Sequence, residues 1–146
     1  MSNPYDTAQP DFQPYRDPVA PPVLAGWWLR FQSGLIDALI AGVPGLLLRF
    51  TTGSALLGDL LQLCIMAAIA YQEGTTGQSP GKKTVGTMVL REEDGQLLGA
   101  GRAIARRFLH ALDALCCLLG YLWPLWDAKR QTFADKLVSS VVIITK

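Results

Sequence analysis

The sequence predicts an all-α membrane protein with two transmembrane helices, a re-entrant or third membrane helical segment, and a small cytoplasmic two-stranded β element. Three observations predict it. Two apolar blocks, Trp27 to Leu48 and Ser54 to Tyr71, are 22 and 18 residues long, and a helix of roughly 20 apolar residues spans the hydrocarbon core of a bilayer. A third block, Gly101 to Trp126, carries its charges only in its first half. Two β-branched runs, Thr84 to Arg91 and Leu137 to Thr145, sit among polar residues and read as strands.

The chain of 146 residues suits one domain, half of it apolar, with a net charge of +1. That small net charge hides an asymmetry, because the basic residues crowd the flanks of the apolar blocks. No nucleic-acid-binding motif accompanies them, so the bilayer is the simpler partner and nucleic acid is not expected. Cys64, Cys116 and Cys117 all fall in apolar blocks without CxxC spacing, as buried thiols do, and predict neither a disulfide framework nor a zinc site. No metal or cofactor is expected.

Residues 1–23 hold Pro4, Pro10, Pro14, Pro18, Pro21 and Pro22, a density that blocks helix and sheet and predicts a disordered cytoplasmic tail. It has no apolar signal-peptide core, so the first hydrophobic helix is expected to direct insertion itself. In that helix (27–48) Trp27 and Trp28 stand at the headgroup level. Arg30 lies just inside, and Asp37 lies well into the apolar run, where a carboxylate costs about 2.5–3.5 kcal/mol and calls for a partner. Pro44 predicts a bend, and Arg49 to Gly53 a tight polar connection. In the second helix (54–71) Asp59 and Gln62 share a face, which predicts hydrogen bonding to another helix ahead of a ligand site.

Residues 72–100 read as a turn-rich basic loop, then the Thr84 to Arg91 strand, closed by an Asp94-Gly95 turn. The loop fails as a P-loop, because only three residues separate Gly77 from Gly81 and Lys82 is followed by Lys83. In 101–126, Arg102, Arg106 and His110 recur at helical spacing, as a basic amphipathic helix at the headgroups would show. Ala114 to Trp126 gives only 13 uncharged residues, short for a crossing. His110 and Asp113 form an i,i+3 pair, read as an interfacial polar pair before a proton relay or metal pair. The chain closes with the 137–145 strand.

Counting lysine and arginine decides the topology. A full third crossing divides them eight to five, whereas a returning third segment divides them twelve to one, with Arg49 alone across. The positive-inside rule favours the second arrangement, with the larger face and the N-terminus cytoplasmic in a multi-pass protein of the cell membrane. The two strands, which need one another as partners, agree.

From Val23 onward the chain resembles the RDD family of small, mainly bacterial membrane proteins, named for one arginine and two aspartates. Arg30 and Asp37 fit the arginine and the first aspartate, and GQSPGKKTVGTMVLREEDGQLLGAGRAIARRF resembles the family's loop, strand, turn and arginine-bearing helix. DAKRQTFADKLVSSVVI resembles its C-terminal pattern, in which Asp135 fits the second aspartate and Asp127 is the alternative. The chain departs from the pattern at Ala134, where His or Gly is common, and at Ser139-Ser140, where Gly-Thr is usual.

The resemblance implies little about activity beyond a suspected link to transport. Arg30 and Asp37 are seven residues apart, about 10 Å along a helix, so each needs another partner, with Asp135 the candidate for Arg30. Two roles follow. In the first, Arg30, Asp37 and Asp135 pin the membrane helices to the cytoplasmic element of a non-enzymatic scaffold or accessory protein. In the alternative, Asp37 serves an oligomeric ion or small-solute transporter. A homo-oligomer or a membrane-protein partner is expected in either case. An enzyme is not expected, because no nucleophile–base constellation is present.

Overall fold

The computed structural model describes residues 22–115 and 119–145. The expected disorder of the proline-rich tail and the thiols of Cys116 and Cys117 lie outside the described residues, apart from Pro22 and Val23.

Two long helices form an antiparallel hairpin: α1 (Trp27–Thr52) and α2 (Ala55–Thr76). Both are long and apolar enough to cross a membrane. Their outward faces are clad in large apolar side chains, including Leu39, Leu46, Phe50, Leu60 and Leu63. α1 continues through Pro44 to Thr52, so the polar connection expected from Arg49 is one turn more of helix. The Thr51 and Thr52 hydroxyls donate to the Leu47 and Leu48 carbonyls at 2.9 and 2.6 Å, and Arg49 stands at the negative end of the helix dipole. Gly53 then turns in the left-handed region at φ 67°. Ser54 caps α2, which runs five residues past the predicted Tyr71 to Thr76 and closes on Gly77, whose N–H bonds the Glu73 carbonyl.

The loop expected over residues 72–83 is also more ordered than its turn-rich composition predicts. Ser79 caps the short α3 (Pro80–Val85), with Pro80 in the first turn where a missing N–H costs nothing. The strand therefore begins at Thr87 rather than Thr84, as β1 (Thr87–Arg91). α4 (Ala100–Leu115), α5 (Leu119–Leu122) and a 3₁₀ turn (Trp123–Leu125) follow. The strand expected from Leu137 starts later, as β2 (Ser140–Ile144), because residues before it form α6 (Phe133–Leu137). A capping box holds α6, with Thr132 accepting from the Asp135 N–H and Asp135 accepting from the Thr132 N–H.

β1 and β2 pair antiparallel, from Thr87 opposite Ile144 to Arg91 opposite Ser140. The chain just before α1 joins them, with Ala25 N donating to Val142 O and Ile144 N to Val23 O, both at 2.8 Å. Ala25, Val89, Leu98, Ala103, Val138 and Val142 make the small apolar core beneath this sheet. The residues flanking the two long helices thus close on a single element.

Candidate functional site

Charged side chains from five helices converge where this element meets the helix hairpin. Arg30 comes from α1, Glu73 from α2, Lys82 from α3, Arg106 and Arg107 from α4, and Asp135 from α6. Asp37 sits two turns above Arg30. Ordinary helical spacing thus delivers seven ionisable groups to one place, and Asp37, Glu73 and Asp135 are each no more than 1% exposed.

The carboxylates saturate themselves with cations. Asp135 receives Arg30 Nη1 at 2.5 Å and Arg106 Nε at 2.6 Å. Its oxygens also accept from the Thr132 N–H and the Ser140 hydroxyl, each at 3.1 Å. Glu73 receives Arg106 Nη1 at 2.6 Å, Lys82 Nζ at 3.1 Å and Arg107 Nη2 at 3.5 Å. Arg106 therefore bridges the two acids through its fork of donors. Asp37 accepts the backbone N–H of Gly81 at 2.8 Å and faces Arg107 at 3.6 Å. Only glycine fits at position 81, since a Cβ would stand 2.1 Å from the Ser33 carbonyl oxygen.

The electrostatics follow from this packing. Burial alone would raise the Asp135 carboxyl, but Arg106 and then Arg30 outweigh it and hold the group well below the usual carboxylate range. Burial works against the Arg106 charge too, and Asp135 with Glu73 more than restores it, raising that group. Lys82 is lowered, because burial outweighs its carboxylate partner. Each of the three buried carboxylates thus faces at least one cation.

The structure brings the sequence-selected Arg30 and Asp135 together, and leaves Asp127 in a surface turn with Lys136 at 2.6 Å. Asp37, which needed a partner other than Arg30, finds Gly81 and Arg107. Asp59 and Gln62 are exposed on α2, and among the described residues neither makes the expected helix-to-helix bond. Arg106 is a further correction: expected at the headgroups, it is 6% exposed, because two buried carboxylates claim it. Arg102, one turn earlier, does stay at the surface. His110 Nδ1 and Asp113 Oδ2 do meet, at 2.6 Å, with the imidazole stacked on Tyr121. Burial chiefly lowers that histidine, against the raising effect of Asp113. Among the described residues no group of three His, Cys, Asp or Glu could hold a metal.

Glu73 and Lys82 escaped the reading of the sequence. Glu73 stands beyond the apolar run that marked the helix, and Lys82 inside a motif read as a loop. The signal for Glu73 was continuation of the helical period past Tyr71, which places it on the face of Ile69 and Ala70.

Comparison with known proteins bears on the same residues. A profile of the RDD family matches residues 24–139. A "Proline-rich antigen homolog" from Mycobacterium tuberculosis (strain ATCC 25618 / H37Rv) is 45% identical over 73 residues, 50% of this chain and 30% of that protein. The "Proline-rich antigen" of Mycobacterium leprae (strain TN) is 44% identical over 73 residues, 50% of this chain and 29% of its own length. The "Uncharacterized protein YxaI" of Bacillus subtilis (strain 168) is 23% identical over 134 residues, 73% of this chain and 88% of its own. The chain thus spans about a third of the mycobacterial relatives it matches. No solved structure matches it.

Proposed function

This chain belongs to the RDD family of membrane proteins, and from that premise we propose that it is a non-enzymatic scaffold or accessory protein of the cell membrane. Its arginine and two aspartates lock the helix hairpin to a cytoplasmic platform that a partner or anionic lipid engages. The observation that carries this reading is that all three buried carboxylates are already held. Arg30 is bound to Asp135, and Asp135 to Arg106, while Asp37 is occupied by the Gly81 N–H and Arg107. A carboxylate that picks up and releases an ion must shed its partners, and here that would unfasten α3 and α4 from α1. We infer that this network fixes the arrangement of the helices, because removing one member of a buried pair strands an uncompensated charge.

The proposed topology has two crossings, with the segment from α4 to Leu125 returning to its starting side. In support, Leu24, β1 and β2 share backbone pairing although they precede, separate and follow the helical segments. Trp27 Nε1 also donates to the Tyr121 carbonyl at 3.0 Å, tying the third segment to the start of α1. Phe108, Leu119 and Leu125 are exposed on that segment and suit insertion at the headgroup boundary.

Two measurements test these proposals. In a cysteine-free background, an impermeant maleimide should label Thr52→Cys on intact cells and Glu93→Cys only after permeabilisation; labelling of Glu93→Cys on intact cells reverses the orientation. Asp37→Asn should lower the amount of assembled protein, and wild-type proteoliposomes should conduct no cations. A cation flux that Asp37→Asn abolishes would replace the scaffold with a transporter.

A further inference from the structure

A groove of about 330 Å³ runs along α2 beside α4, outside the carboxylate contacts of the buried network. Its walls are Leu63, Met66, Ala67 and Ala70 of α2 with Ile104 and Phe108 of α4. Asp59 and Gln62 close one end, and Arg107 stands at the other. From Asp59 to Ala70 the groove follows eleven residues of helix, about 16 Å. That is the shape of an extended hydrocarbon chain with a place for a charged head.

Arg107 suits that head for two reasons. It is the most loosely held cation of the network, at 3.5 and 3.6 Å from its carboxylates where the others approach to between 2.5 and 3.1 Å. Its side chain is also the least buried of the four, 19% exposed against 8–10% for Arg30, Lys82 and Arg106. With Asp59 at the opposite end, the groove carries positive charge at the α4 end and negative at the far end. An amphiphile with an anionic head can seat itself in one direction only.

We propose that the groove binds one anionic phospholipid from the leaflet on the α4 side, with its phosphate on Arg107 and an acyl chain along α2 towards Leu63. Basic pockets beside membrane helices on the cytoplasmic side are suited to such headgroups. The inference rests on the membrane reading above but not on the scaffold role.

The test uses the full chain in nanodiscs of phosphatidylcholine with and without phosphatidylglycerol, with retained lipids counted by native mass spectrometry. One phosphatidylglycerol should be retained per chain, with about fivefold preference over phosphatidylcholine, the effect expected of one basic residue. Ala67→Phe, which fills the groove from an exposed position, should abolish retention while leaving the lipid-free melting temperature unchanged. Arg107→Gln should keep a lipid but lose the preference; if that variant does not fold, Ala67→Phe decides. Equal retention of the two lipids overturns the proposal, as does retention by Ala67→Phe. Equal stabilisation by inorganic phosphate, or burial of the groove in a dimer of this chain, overturns it as well. None of these outcomes bears on cation flux, so failure here and failure of the scaffold reading are distinguishable.

Discussion

The two ends of the α1–α2 hairpin are held by different physics. At the end near Gly53 the helices touch backbone to backbone: a Cβ on Gly45 would lie 2.8 Å from the Gly58 carbonyl oxygen, and one on Gly58 would lie 2.6 Å from that of Gly45. At the other end the helices are joined by charge, through Glu73, Arg106 and Asp135 to Arg30. Two helices linked by a short turn find one another without instruction, and in lipid close approach of small residues is enough. Segments far apart in the chain must be selected from many arrangements. Unpaired buried charge penalises all but one of those arrangements.

If that contrast is right, Glu73→Gln should be the most damaging single change. It leaves Lys82, Arg106 and Arg107 buried with their common acceptor weakened, and removal of one member of a buried pair costs about 3–5 kcal/mol. Denaturant titration in detergent measures it, and a Glu93→Cys reporter should show α3 and β1 loosening first. Gly58→Leu at the other end overpacks a tight contact and should cost less, about 1–3 kcal/mol. A larger loss from Gly58→Leu than from Glu73→Gln would break the comparison.

The sequence disclosed the two ends unequally. Length and hydropathy made both long helices legible and singled out Arg30 and Asp37 as charges in an apolar run, and the resemblance supplied Asp135. The rest of the charged end was hidden because its residues act from segments that look like something else locally. Lys82 sits in a Gly- and Pro-rich stretch, where Ser79 and Pro80 start a short helix that composition reads as loop. Arg106 sits on a helix whose amphipathic pattern suits a membrane surface equally well, and only tertiary contact with Glu73 and Asp135 turns it inward. The Thr132-x-x-Asp135 capping box was present in the sequence, but the β-branched run after it drew the strand too early. Asp59 and Gln62 misled in the opposite sense, since shared helical phase says which residues go together and not what they face.

A smaller effect sharpens the contrast through pH. The folded pKa of His110 lies below its unfolded value of about 6.5, chiefly because the ring is buried, so the unfolded chain binds its proton first. Stability is therefore full above the unfolded pKa and declines as pH falls through it, until the folded ring is also protonated. Asp135 adds nothing in this range. Its depressed folded pKa gives stability that is present above about pH 3.8 and lost only below that. Melting curves from pH 7.5 to 5.5 should soften in wild type and stay flat in His110→Asn. Equal softening in that variant would place the titrating group elsewhere.

The smallest expected effect tests whether burial, rather than pairing itself, gives the charged end its strength. Lys129 contacts Glu92 closely, and Glu92 also accepts from Gln131 Nε2 at 2.7 Å, so by geometry the pair rivals any in the network. The Lys129 side chain is, however, 61% exposed. Water screens such a charge and solvates it equally well unpaired, so an exposed pair contributes little. Lys129→Ala should therefore shift the denaturation midpoint far less than Glu73→Gln, with the remaining loss diminishing as salt is added. A loss near that of Glu73→Gln would mean that proximity, and not removal from solvent, sets the energy of these contacts; the division between the two ends of the hairpin would then need another cause.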